Sequence, residues 1–138
     1  MADRVRKINY CYAKVPNRPG QGVKMLDDLK EAGVNLLAYS GFPAKGGKSQ
    51  IDFIPDDIVA LRRVAKQNGW RLSKTKKGFL ITGTDQVGAA QRHIAKLAAA
   101  KVNITAADAI SAGKGRYGMI LWVKPSGYSR AARVLGAK

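Results

Sequence analysis

Short motifs recur 68 residues apart in this sequence, as Gly20 and Gly88 do, and this internal repeat limits the folds that the chain can adopt. A chain that repeats at such a spacing builds the same supersecondary unit twice. We therefore predict two modules, residues 1–76 and 77–138. The aligned segments are Gly20 with Gly88, Val34-Asn35 with Val102-Asn103, and 44–48 with 112–116.

The hydrophobic pattern of the first copy predicts the order β-α-β-β-α-β. Apolar residues alternate with polar ones over residues 6–15, which indicates a strand, and they follow a helical period over 20–32. The predicted fold class is α+β, with two tandem ferredoxin-like βαββαβ sandwiches. The predicted strands cover 6–15, 35–40, 49–54, 70–75, 79–82, 104–110 and 117–123, and the predicted helices cover 20–32, 55–69, 87–100 and 126–135.

The second copy ends without a counterpart of the strand predicted over 70–75. An open sheet edge has to be covered or paired. We therefore expect residues 70–75 to pair with the strand over 79–82, or a partner chain to fill the gap.

A turn rich in proline and glycine, residues 15–22, separates the first predicted strand from the first helix, and residues 83–88 form its diluted copy. Free N–H groups at a helix start attract carboxylates. The side-chain oxygens of Asp85 and of Asn17, Asn35 or Asn103 suit an ammonium group. Together these groups match an α-amino acid. The alternative is that proline and glycine only build turns, while Asn35 and Asn103 satisfy strand ends.

With these motifs and their spacing, the sequence resembles the ACT domain in tandem. Residues 15–20 and 32–36 carry the resemblance in the first copy, and 84–88 and 101–104 carry it in the second. The resemblance implies a regulatory module of amino-acid metabolism that binds a small ligand, usually an amino acid, where two modules meet. The turn after strand one and the start of strand two would supply the contacts, which here are Asn17, Arg18, Gly20, Gly22, Asn35, Leu36, Asp85, Gln86, Gly88, Asn103 and Ile104.

The two turns are not identical. Val87 replaces the proline that precedes the glycine in the first copy, and Asp85 makes the second turn acidic where Arg18 makes the first basic. We therefore expect two unequal sites, the first favouring a carboxylate and the second an ammonium group. We also expect a homodimer, an allosteric role and a regulated enzyme as partner.

The net charge of +16 opens an alternative function, a nucleic-acid-binding protein on the same ferredoxin-like topology. Exposed together on one sheet face, Tyr10, Tyr12, Phe53 and Trp122 would form a stacking surface for bases, although packing is the simpler interpretation. Against this function, residues 77–81 match only the first three positions of an RNA-binding aromatic motif. A basic, solvated surface without a dedicated partner also explains the charge.

Other classes find little support in the sequence. One cysteine, Cys11, and one histidine, His93, make neither a disulfide nor a metal site. We expect Cys11 in the core and His93 at a helix surface or boundary. No pair of carboxylates suggests acid–base chemistry, so we expect neither an enzyme nor a cofactor. Without a signal peptide or a run of about 18 apolar residues, we expect a cytoplasmic protein with no membrane partner.

Overall fold

A computed structural model describes residues 3–138, which form four helices and six strands within that range. Contacts divide these residues into a first unit, Asn9–Lys76, and a second unit that joins residues 3–8 to 77–138. The α+β class is as predicted. The elements are β1 (Arg4–Pro16), α1 (Gln21–Glu31), β2 (Leu36–Ala44), β3 (Lys48–Pro55), α2 (Ile58–Gln67), β4 (Lys76–Thr84), α3 (Gln91–Ala99), β5 (Ile104–Gly113), β6 (Arg116–Val123) and α4 (Pro125–Leu135).

The first unit is an antiparallel sheet in the order β2-β3-β1, packed with α1 and α2. Phe53 stands at the centre of the sheet, opposite Cys11 of β1 on one side and Tyr39 of β2 on the other. Its side chain is fully buried, as are those of Cys11 and Leu61. These side chains meet in the core because alternate strand residues and the apolar stripes of the helices face the same interior.

The second unit repeats this plan with β4-β6-β5 and the helices α3 and α4. Leu121 of β6 lies opposite Phe79 of β4 and Ala107 of β5, and both Leu121 and Phe79 are fully buried. The first residues of β1, which belong to this unit, lie beside β4. These first residues of β1 occupy the sheet edge that we expected residues 70–75 or a partner chain to cover.

The predicted strand over 70–75 is therefore wrong. Only Leu72 forms a bridge, and its partner is Ala13 of β1 rather than a residue of 79–82. The neighbouring Ser73 supports this contact by donating its amide N–H to the carbonyl of Tyr12 at 2.8 Å. The turn predicted over 76–78 is also wrong, because β4 already begins at Lys76.

Two further boundaries differ from the predictions. Helix α3 begins at Gln91 rather than at Val87, because residues 87–90 form turns around Gly88, whose φ is +79°. Strand β2 continues through the predicted loop as far as Ala44. None of the helices within residues 3–138 has the length and apolar character needed to span a bilayer.

Candidate functional site

The turn between β1 and α1 is fixed by Asn17. Its amide N–H donates to the carbonyl of Gly47 at 2.9 Å, and its Oδ1 accepts from the hydroxyl of Ser49 at 2.9 Å. Gly20 then adopts a φ of +92°, a conformation that favours glycine, and α1 begins at the next residue. The turn is thereby tied to the β2–β3 hairpin of the same unit.

The turn between β4 and α3 has the same construction. The amide of Asp85 donates to Gly115 at 2.8 Å, and the carboxylate accepts from the hydroxyl of Ser111 at 2.6 Å. Gly88 has a φ of +79°, as Gly20 has a positive φ in the first unit. Asp85 thus corresponds to Asn17, so the two turns share their backbone and differ in charge.

Each turn forms one side of a cleft, of ≈ 300 Å³ in the first unit and ≈ 320 Å³ in the second. The opposite side is the distal part of an edge strand, Gly41 to Pro43 of β2 or Ala109 to Ser111 of β5. Corresponding lining residues are Asn17 and Asp85, Arg18 and Gln86, Gln21 and Ala89, Gly22 and Ala90, Gly41 and Ala109, Phe42 and Ile110, Pro43 and Ser111, and Ser49 and Tyr117.

The helices that begin at these clefts lack a side-chain cap. The N-cap positions of α1 and α3 are Gly20 and Ala90, and neither provides a side-chain acceptor. Helix α2 differs, because Asp57 accepts from the amides of Val59 and Ala60 at 3.0 and 3.2 Å. In α3 the amides of Arg92 and His93 donate to the carbonyls of Gly88 and Ala90 at 3.4 and 3.2 Å, and in α1 the amide of Gln21 donates to Arg18 at 3.4 Å. Within the described residues, the first-turn amides left for water or for an anion are therefore those of Gly22 and Val23 in α1 and of Gln91 in α3.

The sequence-predicted site residues divide into two groups. The turn residues line the two clefts, namely Asn17, Arg18 and Gly22 in the first unit and Asp85, Gln86 and Gly88 in the second, while Gly20 shapes its turn without lining the cleft. Asn35 and Leu36 instead line a separate cleft of ≈ 410 Å³ with Lys30 and Gly33. Asn103 and Ile104, their counterparts at the start of β5, do not line the cleft of the second unit.

The separation of Asn35 from the turn follows from strand geometry. Asn35 precedes β2, whereas the cleft is formed by Gly41 to Pro43, about 20 Å further along an extended chain. The strand residues of the clefts were missed because the sequence suggested a loop over 41–47. Their alignment with 109–111 at the same offset of 68 was the available signal.

Gly22 has a second role in the first cleft. A Cβ atom at this position would lie 2.9 Å from the hydroxyl of Tyr39, so the absence of a side chain admits the tyrosine to the helix. Tyr39 and the neighbouring Phe42 keep exposed fractions of 43% and 42%. The first cleft therefore has an aromatic side, whereas the second offers Ile110, which is 71% exposed.

A buried network adjoins the second cleft and was not predicted. Tyr117 lines the cleft and donates its hydroxyl to Oδ2 of Asp3 at 2.6 Å. His93 Nε2 lies 2.6 Å and Arg92 Nη2 2.9 Å from the same oxygen. The expectation that His93 lies at a helix surface or boundary is wrong, since only 4% of this residue is exposed. Its partner is ninety positions away in the chain, so no local pattern indicates it.

The titration properties of this network follow from its contacts. Burial raises the pKa of the Asp3 carboxyl, but the hydrogen bonds from Tyr117 and His93 and the charge of Arg92 outweigh burial, so the net pKa lies below its usual value. Burial and the hydrogen bond to Asp3 raise the pKa of Tyr117 to about 12. Asp3 is therefore ionised and Tyr117 neutral around pH 7.

Cys11 and the aromatic residues pack as predicted. Cys11 is fully buried, and its Sγ accepts from Nη1 of Arg62 at 3.1 Å. Tyr10, Phe53 and Trp122 are at most 7% exposed. These three rings offer no stacking surface to bases, whereas Tyr12 is half-buried, with Nζ of Lys76 5.6 Å from its ring centroid. The prediction that all four rings are exposed together is therefore wrong.

Comparison with known proteins supports the fold. No protein-family model matches the chain, and no curated protein does. Protein BT0572 from Bacteroides thetaiotaomicron matches with a TM-score of 0.79 at 16% identity over 97% of this chain and 88% of that one. The ligand-free regulatory subunit of aspartate kinase from Thermus thermophilus matches with a TM-score of 0.63 at 15% identity, over 99% and 95% of the two chains.

A whole enzyme is also similar in part. Aspartate kinase from Synechocystis matches with a TM-score of 0.64 at 17% identity, and the match covers 98% of this chain but 26% of that one. Identities this low establish a shared fold and no more. The chain therefore has an ACT-type α+β fold, of the kind present in regulatory subunits of aspartate kinase.

Proposed function

We propose that the chain is a regulatory, non-enzymatic protein of the tandem ACT type that binds an amino acid or a similar small metabolite at the two turn clefts. The observation that carries the proposal is the duplicated cleft beside an uncapped helix start, with eight pairs of corresponding lining residues. Helix α2 has a side-chain acceptor in Asp57, but α4 lacks one without adjoining a turn cleft, so the proposal depends on the duplicated cleft rather than on the missing caps alone.

Each cleft suits a different charged group of an α-amino acid. In the first, the N–H groups of α1 and the guanidinium of Arg18 attract the carboxylate. In the second, the carboxylate of Asp85 attracts the ammonium group, although its hydrogen bond from Ser111 uses part of its acceptor capacity. The sites are therefore unequal, and the first would bind the carboxylate more strongly.

The proposal includes a second copy of the chain. Asn35 and Leu36 lie away from the turn within their own unit, so they would contact the ligand only when another module brings them to it. The same holds for Asn103 and Ile104 in the second copy of the motif. Ligand binding would then favour the homodimer, or a complex with a regulated enzyme, because binding and association stabilise the same state.

Thermal unfolding with each of the twenty amino acids tests this function, starting from protein refolded after removal of any bound ligand. A ligand at a hundred times its dissociation constant stabilises the folded state by about 2.7 kcal/mol. We expect at least one amino acid to raise the unfolding temperature, and Asn17→Ala and Asp85→Ala to reduce that rise. The matched control Asp56→Ala, an exposed residue outside both clefts, should keep it. No rise with any amino acid would contradict the proposal.

The alternative function, nucleic-acid binding, keeps one supporting observation. The chain carries a net charge of +16, which attracts any polyanion at low salt. The predicted stacking surface does not support it, because Tyr10, Phe53 and Trp122 are buried; the exposed aromatic residues Tyr39 and Phe42 belong to the first turn cleft.

A further inference from the structure

A third kind of cleft, of ≈ 510 Å³, lies in the first unit between β1, α1 and the segment that follows α2. Its apolar part includes Ala13 and Met25, which are buried, and Trp70, which is half-buried. The ring of Trp70 is stacked on that of Phe53, with centroids 5.7 Å apart and planes at 22°. This wall is therefore formed before any ligand arrives.

The polar part of this cleft is predominantly cationic. Lys14, Lys24 and Arg71 line it, with Asp28 as the one carboxylate among its lining residues. Within residues 3–138, neither Lys24 nor Arg71 forms an ion pair or a side-chain hydrogen bond. Both are exposed at the rim, so the cleft presents uncompensated positive charge next to an aromatic wall.

The second unit contains the counterpart of this cleft, and a carboxylate fills it. At the offset of 68, Val15, Lys24 and Met25 correspond to Gly83, Arg92 and His93. Asp3 contacts all three of the latter residues. Its Oδ2 is paired with Arg92 at 2.9 Å and with His93 at 2.6 Å, and a Cβ added to Gly83 would overlap its carboxyl group.

In the second unit, a carboxylate thus pairs with Arg92, whereas in the first unit no carboxylate among the described residues forms an ion pair with Lys24. Arg92 and Lys24 correspond in the sequence repeat, and both are cations that favour a carboxylate. The two places differ in their apolar residues. Met25 stands where the second unit has His93, and Trp70 adds an aromatic surface to the first-unit cleft. The first-unit cleft therefore has an apolar volume that the Asp3 network does not have.

We propose that this cleft binds a small organic carboxylate whose charged group pairs with Lys24, as Asp3 pairs with Arg92, and whose apolar body lies against Met25 and Trp70. The volume lies within the range of small-molecule sites. The site adjoins the turn cleft of the same unit, with which it shares Val15 and Gln21. Lys24, Met25, Trp70 and Arg71 line only the proposed site, so binding there can be distinguished from binding at the turn. It stands whether or not the turn clefts bind amino acids.

The test is a titration of the full-length, ¹⁵N-labelled chain with phenylacetate at constant ionic strength, with phenylacetamide as the neutral, isosteric comparison. We expect saturable shifts of the backbone amides of Lys24, Met25 and Gly69 and of the indole N–H of Trp70. Loss of the charged hydrogen bond should weaken phenylacetamide at least about tenfold. Equal binding of the two compounds, or no saturable shift, would overturn the proposal, as would equally tight binding of inorganic phosphate.

Two variants locate the charge. Lys24→Gln should weaken phenylacetate binding at least about tenfold, because the ion pair between the ammonium group and the carboxylate is replaced by a hydrogen bond from a neutral amide. Lys66→Gln, an exposed lysine of α2 outside the cleft, should leave the affinity unchanged. Both positions are exposed, and the amide spectrum of each variant reports that it is folded. Unchanged affinity in Lys24→Gln, or shifts confined to residues 17–22, would overturn this site without affecting the proposed function.

Discussion

Asp3 holds three side chains of the second unit together through one carboxylate oxygen. Tyr117, His93 and Arg92 all lie within 2.9 Å of Oδ2, and the side chain of Asp3 is 4% exposed. A buried carboxylate is tolerated only with such compensation. This residue therefore stabilises the start of β1 against α3 and β6 within that unit.

The stability of Asp3→Asn relative to the natural chain should depend on pH. The folded pKa of Asp3 lies below the usual 3.8, so its contribution is fully present above that value and is lost as pH falls through the lower, folded pKa. We expect a loss of about 2 kcal/mol at pH 7, which shrinks below about pH 4. Urea unfolding at several pH values measures this difference. Asp108→Asn, at an exposed position of β5, should show no such pH-dependent loss.

The absence of a side chain at Gly83 leaves room for the carboxyl group of Asp3. An added Cβ would overlap the Asp3 carboxyl, so Gly83→Ala should destabilise the chain by about 2 kcal/mol. In an Asp3→Ala background the overlap is gone, and the cost should fall by at least about 1 kcal/mol. Gly118→Ala is the control, since its nearest contact is 3.9 Å away. Strict additivity of the two substitutions would contradict the described packing.

Individual residues differ in how well the sequence predicts their surroundings. The burial of Cys11 was predictable, because a lone cysteine in an alternating strand behaves as a small apolar residue. The burial of His93 was not, because its partner Asp3 is placed by tertiary structure alone. The turn residues of the candidate clefts could be named from the repeat. Gly41 to Pro43 were assigned to a loop because an exposed edge strand has the composition of a loop, and only their alignment with 109–111 indicated otherwise.

Among the elements, the helices were easier to predict than the strands at the sheet edges. The helical period and caps located α1, α2 and α4 to within a few residues. The segment over 70–75 has strand composition, but β1 leaves room for one bridge, between Leu72 and Ala13. Strand pairing depends on what else occupies an edge, and composition carries no information about that competition.

The caps also predict how the helices respond to mutation. Asp57 accepts two hydrogen bonds at the start of α2, so Asp57→Ala should cost about 1 kcal/mol of unfolding free energy. The neighbouring Asp56→Ala should cost much less, because the side chain of Asp56 is exposed and caps nothing. Chemical denaturation of the two variants in parallel measures the contrast. Equal losses would mean that charge, and not capping, stabilises this helix start.

For the molecule as a whole, the net charge and the fold suggest different functions. The fold is shared with regulatory subunits of aspartate kinase, and the net charge of +16 would suit a polyanion. If charge alone attracts nucleic acid, the dissociation constant for single-stranded RNA should stay weaker than about 1 µM at 0.15 M salt and rise steeply with salt. Submicromolar binding at that salt concentration would favour the nucleic-acid function over the regulatory one.

Whether the two turn clefts bind an amino acid can be measured from the backbone amide shifts of the ¹⁵N-labelled chain during titration with each of the twenty amino acids. We expect saturable shifts at residues 17–22 and 85–91 for at least one amino acid, with the first set lost in Asn17→Ala and the second in Asp85→Ala. Saturable shifts confined to other parts of the chain, or no shifts with any of the twenty, would contradict binding at these clefts.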